Sequence, residues 1–236
     1  MQRIYVEYWN LWEETFLLDE KEIMHQILKV LRWKVGDEFM FFDGKNLIDY
    51  KYRITSIDKK NIFFHLQEKV SKKPEKIDLY LFQALPNKID KIEDIIEKWT
   101  QIGYSKFIFF ESNRSQSIFL SENKLQRFQK IIQESSELSG RNVIPEIIFT
   151  QDIELESINW ESFYFHTQDN QSHLLKNIDF SHKRYNLFIW PEWGFDESEI
   201  QAFDQNNFKK IYLGDNILRT QTAAITTWFY FIQSTL

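Results

Sequence analysis

The sequence predicts an α/β protein in two parts: a small β-rich unit in residues 1–72 and a larger α/β domain in residues 73–236. Short alternating strands dominate the first seventy residues. The polar, basic segment SKKPEK (71–76), interrupted by Pro74, is the best boundary in the chain. After it, apolar strands alternate with helical patterns, which is typical of a mostly parallel sheet. A length of 236 residues suits two domains of about 100–200 residues each.

The first part contains four predicted strands and one predicted helix. The helix covers EIMHQILKVLR (22–32), with Asp19 as its expected N-cap, and we interpret His25 within it as a packing or capping residue. The strands are RIYVEY (3–8), DEFMFFDG (37–44), DYKYRITSID (49–58) and NIFFHLQEKV (61–70). Together they predict a small barrel with one helix.

The second part alternates five strand candidates with four helix candidates. The helices are a run from 89 that Gly103 ends, a long run over 121–140, FDESEIQAF (195–203), which an Asp196–Glu199 capping box opens, and the segment from Arg219 onward. The strands are IDLYLFQAL (77–85), KFIFF (106–110), FYFHT (163–167), YNLFIW (185–190) and KKIYLG (209–214). This order predicts an α/β domain.

Composition excludes several classes of protein. Hydrophobic residues make up 43% and charged residues 27% of the chain, which is ordinary for a globular protein. No run approaches the roughly 18 apolar residues of a membrane span, and the N-terminus does not resemble a secretory signal. The chain has no cysteine, and its five histidines form no ligand pair, so we expect a cytoplasmic protein without a metal. A net charge of −6 argues against a broad basic surface but allows a local basic patch.

Three loops are candidates for chemistry because ligands bind at the carboxyl ends of parallel strands. They are His166-Thr167, the segment 190–195 (WPEWGF) and the segment 213–220 (LGDNILRT). The chain contains no GxGxxG, no GxxxxGK[ST] and no GxSxG motif. These absences exclude the common dinucleotide-binding, P-loop and hydrolase templates.

Four motifs in these regions resemble one known family. IWPEWGF (189–195) is similar to its I-G-P-E-G-G-F, and LGDNILRTQTAA (213–224) to its L-G-x-R-I-L-R-x-E-T-A. ESSELSGRNVIPEI (134–147) resembles E-A-A-E-Q-S-G-R-x-x-x-P-x-I. His25 with VLRWKVGDEFMFFDG (30–44) resembles H-x-x-x-V-L-R-x-K-x-G-D followed by F-D-G. The family is the RsmE type of SPOUT RNA methyltransferase, which methylates a uridine N3 in small-subunit ribosomal RNA.

The resemblance implies a PUA-like RNA-binding β-barrel in residues 1–72 and a SPOUT α/β domain with a deep trefoil knot in residues 73–236. It also implies S-adenosylmethionine as cofactor, 16S ribosomal RNA or the small ribosomal subunit as partner, and a homodimer. No metal is needed, since the methyl group is already activated on a sulfonium. The cofactor-binding residues expected from the motif loops are His166, Thr167, Ile189, Trp190, Pro191, Glu192, Trp193, Gly194, Leu213, Gly214, Asn216, Ile217, Leu218 and Thr222.

The part of the site that binds the methyl-accepting uridine is expected to carry positive charge. Uridine N3 is a poor nucleophile until it loses its proton, so the site must stabilise the negative charge that develops. Arg114, Arg141 and Arg219 are the candidate catalytic residues. Glu137 and Glu192 both stay open as proton acceptors. The residues expected to contact RNA are Lys29, Arg32, Lys34, Lys72, Lys73 and Arg127.

The sequence departs from the family pattern in its cofactor loops. Tryptophan stands at 190 and 193, where the family has glycines that serve positive φ and close approach, and Asn216 replaces an arginine. The chain has 6 glycines and 8 tryptophans, whereas average usage predicts about 16 glycines. We hypothesise that UGA codons meaning glycine are read here as tryptophan. The alternatives are a catalytically silent RNA-binding protein on this scaffold and a SPOUT methyltransferase that acts on another RNA base.

Overall fold

A computed structural model describes residues 2–7, 11–115, 117, 119–166, 173–174 and 178–234. The chain divides into two compact units. The first comprises Met1–Pro74 together with Ser136–Ile144, and the second comprises Glu75–Ser135 and Pro145–Leu236. The SGRN segment (139–142) therefore belongs with the first unit, although it follows the boundary predicted from the sequence.

The first unit is built on a five-stranded sheet. Its strands are β1 (Arg3–Tyr5), β2 (Thr15–Leu18), β3 (Glu38–Phe42), β4 (Ile48–Ile57) and β5 (Ile62–Ser71). Their order is β1-β3-β4-β5-β2, with β1 parallel to β3 and the other pairs antiparallel. The sheet curls as a half-barrel around a core rich in aromatic rings, including Phe39, Phe41 and Phe64.

The single helix of this unit changes its winding midway. α1 (Lys21–His25) continues directly into a π-helical turn, Gln26–Val30, in which the amide of Leu31 donates to the carbonyl of Gln26 at 2.9 Å. The N-cap is Glu20, so the prediction of Asp19 as the cap is wrong. Met24 and Ile27 are buried, and Ile23, Leu28 and Leu31 pack partly buried against the same core.

The second unit contains a seven-stranded sheet in which every described pairing is parallel. The strands are β6 (Asp78–Ala84), β7 (Lys106–Phe110), β8 (Glu146–Thr150), β9 (Glu161–Phe165), β10 (His173–Leu174), β11 (Arg184–Ile189) and β12 (Lys209–Tyr212). Their order is β10-β12-β9-β11-β6-β7-β8. The predicted parallel sheet is confirmed.

The helices after residue 74 agree closely with their sequence signals. They are α2 (Ile89–Ile102), α3 (Glu122–Ser139), α4 (Glu197–Gln205) and α5 (Thr220–Gln233). All lie in the second unit except the last turn of α3, which from Ser136 belongs to the first. Gly103 ends α2 in the left-handed region at φ 117°, which an L residue with a side chain rarely adopts. α2 buries Ile92, Ile96 and Trp99 on one face, as the 3.6-residue period predicts.

The strand order opens a crevice above β6 and β11. These strands are neighbours, yet the chain leaves β6 through α2 towards β7 and leaves β11 through α4 towards β12 on the opposite side. Where connections diverge in this way, ligands bind at the carboxyl ends of the strands. Beneath the crevice, Phe82 of β6 stacks on Phe188 of β11 with ring centroids 4.3 Å apart. The carboxyl ends of β6 and β11 therefore form an edge at which a ligand can bind, next to two strands packed through their side chains.

The capping box that opens α4 is confirmed. Asp196 Oδ1 accepts from the amide of Glu199 at 2.9 Å, and Glu199 Oε2 accepts from the amide of Asp196 at 2.8 Å. Hydrogen bonds from the Glu199 amide and then from the Ser198 hydroxyl lower the pKa of Asp196 to about 2. The ionised carboxylate thus stabilises the start of the helix.

We expect Asp196→Ala to lower the free energy of unfolding by about 1 kcal/mol at neutral pH. A carboxyl whose pKa falls on folding stabilises the protein above its unfolded pKa, near the ordinary value of 3.8. That contribution is lost as the pH falls from 3.8 towards 2. Urea denaturation at pH 7 and pH 3 measures both effects, and Asp196→Asn, which retains a capping oxygen, is the control. Equal stability of Asp196→Ala and the parent at neutral pH would contradict this account.

Candidate active site

The loops after β6, β9, β11 and β12 leave the same edge of the parallel sheet. β6 and β11 run in register up to the pair Gln83–Ile189, so the segments that follow them start side by side. The three loops predicted from the sequence are all on this edge. Thr167, predicted to bind the cofactor, lies outside the described residues.

The larger cavity at this edge has a volume of about 460 Å³. It lies between the 190–192 loop and the segment 217–221, with the first half of α2 as a third wall. Ile95, Ile217 and Leu218 give it apolar walls, while Arg219 and Thr220 add polar groups. Its size and mixed lining are typical of small-molecule sites, which measure about 300–1,000 Å³.

An ion pair borders the larger cavity. Lys91 Nζ is 2.6 Å from Glu192 Oε1, which also accepts from the amide of Asn87 at 3.2 Å. Burial opposes ionisation of Glu192, but the hydrogen bonds, with that from Lys91 the strongest, bring its pKa below the usual value. Glu192 is therefore stabilised in its ionised form by Lys91 and the Asn87 amide, which makes it a weak base. Sequence reasoning missed Lys91, because a lysine in the first turn of a helix is typical of a solvated face.

The smaller cavity measures about 300 Å³ and lies beside the end of β9. Phe165 and His166 line one side, and Trp193 and Gly194 line another. Arg114 also lines it and donates from Nη1 to the carbonyl of Trp193 at 3.0 Å. This contact places a guanidinium next to the loop that carries the motif.

Trp190 lines both cavities. Its side chain is only 6% exposed, and its ring meets Phe165 edge-on at 6.4 Å. Its carbonyl accepts from Gln83 Nε2 at 3.3 Å and from Thr220 Oγ1 at 3.2 Å. Gln83 is buried, and its Oε1 has no hydrogen-bond partner in the described part of the chain. These hydrogen bonds hold the loop in place, with Trp190 common to both linings.

The backbone does not require glycine at 190 or 193. The described residues other than glycine that have a positive φ are Arg32, Trp160 and Asn207. In this loop the positive φ, +73°, belongs to Gly194. The expectation that 190 and 193 need glycine for their φ is therefore wrong, and what an indole changes at 190 is volume. Trp160, by contrast, has φ 78° on the approach to β9, a conformation typical of glycine.

The predicted site residues divide among several places. Of the catalytic candidates, Arg219 lines the larger cavity and Arg114 the smaller one, whereas Arg141 belongs to the first unit, where its Nε donates to the carbonyl of Val143 at 2.7 Å. Trp190, Glu192, Ile217 and Leu218 line the larger cavity, and His166, Trp190, Trp193 and Gly194 the smaller one. The expected cofactor residues outside both linings are Ile189, Pro191, Leu213, Gly214, Asn216 and Thr222.

A buried ion pair fixes the SGRN segment within the first unit. Arg3 Nη2 is 2.7 Å from Asp49 Oδ1, and the two side chains are 7% and 3% exposed. Arg3 also donates to the carbonyl of Ser136 at 3.0 Å and to Asn142 Oδ1 at 3.0 Å. The Arg3 side chain thereby links strand β4, through Asp49, with the segment 136–142. Neither Arg3 nor Asp49 was singled out by sequence reasoning, since both read as surface charges.

The residues predicted to contact RNA differ in whether their side chains are already engaged in ion pairs. Lys72 Nζ is 3.2 Å from Asp49 Oδ2, so this lysine takes part in the buried network. Arg127 pairs with Glu93 at 2.7 Å. Lys29, Arg32, Lys34 and Lys73 are exposed, and their contacts with RNA stay a prediction.

Two general features bear on the setting of the site. None of the described helices is both long enough and apolar enough to cross a membrane. Within the described ranges, histidine and acidic side chains form no group of three or more that could hold a metal ion.

Comparison with known proteins identifies the family. A family described as RNA methyltransferase domain matches residues 73–231, and one described as RNA methyltransferase PUA domain matches residues 18–67. The chain is 30% identical to ribosomal RNA small subunit methyltransferase E of Buchnera aphidicola, over 94% of this chain and 89% of that protein. It is 33% identical to the Rickettsia conorii protein of the same name, over 86% and 83%.

Solved structures agree with this assignment. The fold matches that of ribosomal RNA small subunit methyltransferase E of Neisseria gonorrhoeae, with a TM-score of 0.84 at 24% identity over 97% of this chain and 95% of that one. A Legionella pneumophila protein solved in complex with S-adenosylmethionine matches with a TM-score of 0.81 at 25% identity, over 98% and 97%. This chain belongs to the ribosomal RNA small subunit methyltransferase E family of RNA methyltransferases.

Proposed function

We propose that this protein uses S-adenosylmethionine to methylate N3 of a specific uridine in 16S ribosomal RNA. The observation that carries the proposal is the larger cavity at the divergence of β6 and β11, because residues of two family-like motifs form its walls. The names of the relatives support ribosomal RNA as substrate. The complex of the Legionella protein supports the cofactor.

The larger cavity suits the cofactor. Ile217, Leu218 and the indole of Trp190 offer apolar surface to an adenosine, while Lys91 and Glu192 offer opposite charges to an amino-acid group. When bound, S-adenosylmethionine supplies a methyl group already activated on a sulfonium. The chain's own residues then have to bind the cofactor, orient it and exclude water from it.

The acceptor side is proposed to depend on arginine. A uridine that loses its N3 proton carries negative charge shared with O2 and O4, and a guanidinium stabilises such charge without itself titrating. Arg114 and Arg219 border the two cavities and are proposed for this role together with Arg141. The proton acceptor is not assigned, since Glu192 is held by Lys91 and Glu137 accepts from the amide of Tyr5 at 2.8 Å.

The assembly proposed around this site has three further features. The half-barrel belongs to a PUA-like β-barrel that binds RNA, and the C-terminal segment of the second unit threads a loop to form a deep trefoil knot. The protein acts as a homodimer, supported by Ile225 and Phe229, which are exposed one turn apart on α5. A ribosomal RNA substrate places the protein in the cytoplasm.

Calorimetry with S-adenosylmethionine separates this proposal from a silent RNA-binding protein. We expect saturable binding, and we expect Ile217→Asp to weaken it at least about tenfold, because a carboxylate in an apolar wall must lose its hydration. Ile217 is 82% exposed, so the variant should fold. Val35→Asp, at an exposed position of the first unit, is the control with the same change of charge. No detectable binding to the parent protein would favour the silent alternative.

The second alternative, methylation of another base, is tested on the product. Ribosomal RNA from small subunits incubated with the protein and cofactor would be digested to nucleosides and mapped by mass. We expect one added methyl group, on a uridine at N3. A methyl group on any other base would assign the protein to a different specificity.

A further inference from the structure

A third cavity lies in the first unit, remote in sequence from the motif loops. It measures about 590 Å³ and lies between α1 with its π-helical turn and the turn that joins β4 to β5. Met24, which is buried, and the half-buried Leu28 give it an apolar floor. Four exposed lysines form its rim: Lys21, Lys29, Lys59 and Lys60. Of these, sequence reasoning singled out only Lys29.

The residues that line the cavity carry more positive than negative charge. None of the four lysines makes an ion pair with a carboxylate of the described residues, and Asp19 is the one acidic residue in the lining. The nearby Asp58 carboxylate accepts from the amides of Lys60 and Asn61, both at 2.7 Å, and it also attracts the charge of Lys60. The lining itself holds four lysines against one carboxylate, on a chain of net charge −6.

The wall formed by the helix is unusual in its winding. Leu28 and Lys29 both lie in the π-helical turn, so the apolar floor and the charged rim meet there. π-helical turns are rare and are often found at functional sites. His25, interpreted from the sequence as a packing or capping residue, is exposed and lines this cavity.

We propose that this cavity binds an unpaired stretch of the RNA substrate, with one base on the Met24–Leu28 floor and the flanking phosphates on the lysine rim. This rests on the proposed function for its choice of RNA. Phosphates account for the lysines, and a base accounts for the apolar floor, which phosphates alone would leave unused. A base reaches such a floor only when it is unpaired, so duplex RNA does not fit. An acidic peptide would match the rim but would not require the floor.

The charged rim is tested by Lys59→Ala combined with Lys60→Ala in the full chain. Both lysines are exposed in a turn, so we expect the variant to fold. The probe is a single-stranded oligoribonucleotide of about 12 nucleotides. We expect affinity to fall about tenfold and the slope of log affinity against log salt to fall by about 1.4, since each phosphate contact contributes about 0.7. Lys98→Ala combined with Lys183→Ala, two exposed lysines of the second unit, is the control of equal charge.

The base-binding floor is tested separately. An abasic position in the middle of the oligonucleotide should weaken binding to the parent protein and have little further effect on Leu28→Ala. Unchanged affinity and slope in the lysine variant would overturn the proposal. Equal affinity for duplex RNA, or for a polyglutamate peptide of equal length, would overturn it too.

Methyl transfer distinguishes failure of this proposal from failure of the proposed function. If the parent protein methylates RNA and the lysine variant does so with unchanged KM, the cavity proposal fails while the function stands. If the parent transfers no methyl group to RNA, the function fails, and the oligonucleotide measurements still decide whether the cavity binds RNA. A raised KM with unchanged kcat supports the proposal.

Discussion

Replacing Trp190 with glycine is expected to join the two cavities and to tighten the binding of S-adenosylmethionine about tenfold, or about 1.4 kcal/mol. Trp190 is the residue that both linings share, and its buried ring contacts Phe165 of the smaller cavity, so its removal vacates volume beside both linings. The backbone at 190 has no positive φ, so glycine enters without a change of conformation. The two sides, one bordered by Arg219 and one by Arg114, then become continuous.

The same change carries a stability cost when no cofactor is present. Truncating a buried tryptophan lowers the free energy of unfolding by about 3–5 kcal/mol. A ligand that fills the vacated volume restores part of it, because binding to the folded state stabilises that state. We therefore expect Trp190→Gly to have a lower Tm alone and a larger rise in Tm with S-adenosylmethionine than the parent. Calorimetry below both transitions measures the affinity.

Trp160→Gly is the matched control for this prediction. Trp160 is exposed, lies outside both cavities and has φ 78°. A left-handed conformation costs a residue with a side chain about 1–2 kcal/mol, so we expect this variant to be more stable, with unchanged cofactor affinity. Equal cofactor affinity of Trp190→Gly and the parent would contradict the interpretation that the Trp190 side chain limits the cofactor cavity.

The hypothesis of misread glycine codons is tested by the gene itself. It requires UGA codons at positions 190 and 193, and UGG codons there would contradict it.

Replacing Asp49 with alanine is expected to lower the free energy of unfolding by about 3–5 kcal/mol. The change leaves the Arg3 guanidinium buried without its carboxylate, and an unpaired buried charge is costly. Lys72, 3.2 Å from the same carboxylate, loses its ion pair and keeps its hydrogen bond to the carbonyl of Gly140. Because Arg3 also holds Asn142, the SGRN segment should lose order.

Urea denaturation measures this effect, and the matched control is Arg53→Ala. That change breaks an ion pair with Glu38 on the same sheet, where the arginine is half exposed. An exposed pair contributes about 0–1 kcal/mol, so the control should be almost neutral. A loss of less than 1 kcal/mol for Asp49→Ala would show that water or another group compensates Arg3.

The fold could be predicted well where periodic patterns were long. The second unit's parallel sheet and the start of α4 followed from strand–helix alternation and from a capping box. β2 and β10 were missed because four and two residues give too little alternation to register. β8 was missed because it begins directly after Pro145, where a turn is the usual expectation. The π-helical turn could not be predicted, since one extra residue per turn barely alters an apolar pattern over five residues.

The site could be predicted to the level of its loops but not of its interior. Parallel strands fix which loops share an edge, and the 190–195 and 213–220 segments do leave the same edge of the sheet; that they form the site stays a prediction. The strand pattern gave no indication of Lys91, whose place beside Glu192 depends on how α2 packs. It also gave no indication that Trp190 would line both cavities, because the direction of one indole is set by packing against Phe165. The sequence pattern assigned a positive φ to positions 190 and 193, whereas the residue of this loop with a positive φ is Gly194.

The most direct test of the account is methyl transfer to small ribosomal subunits that lack the modification. The full chain would be incubated with them and with S-adenosylmethionine labelled on its methyl group, with subunits already methylated at that uridine as control. The account predicts label in the 16S RNA of the unmodified subunits, recovered as 3-methyluridine, and none in the control. Equal labelling of both, or label on another nucleoside, would contradict it.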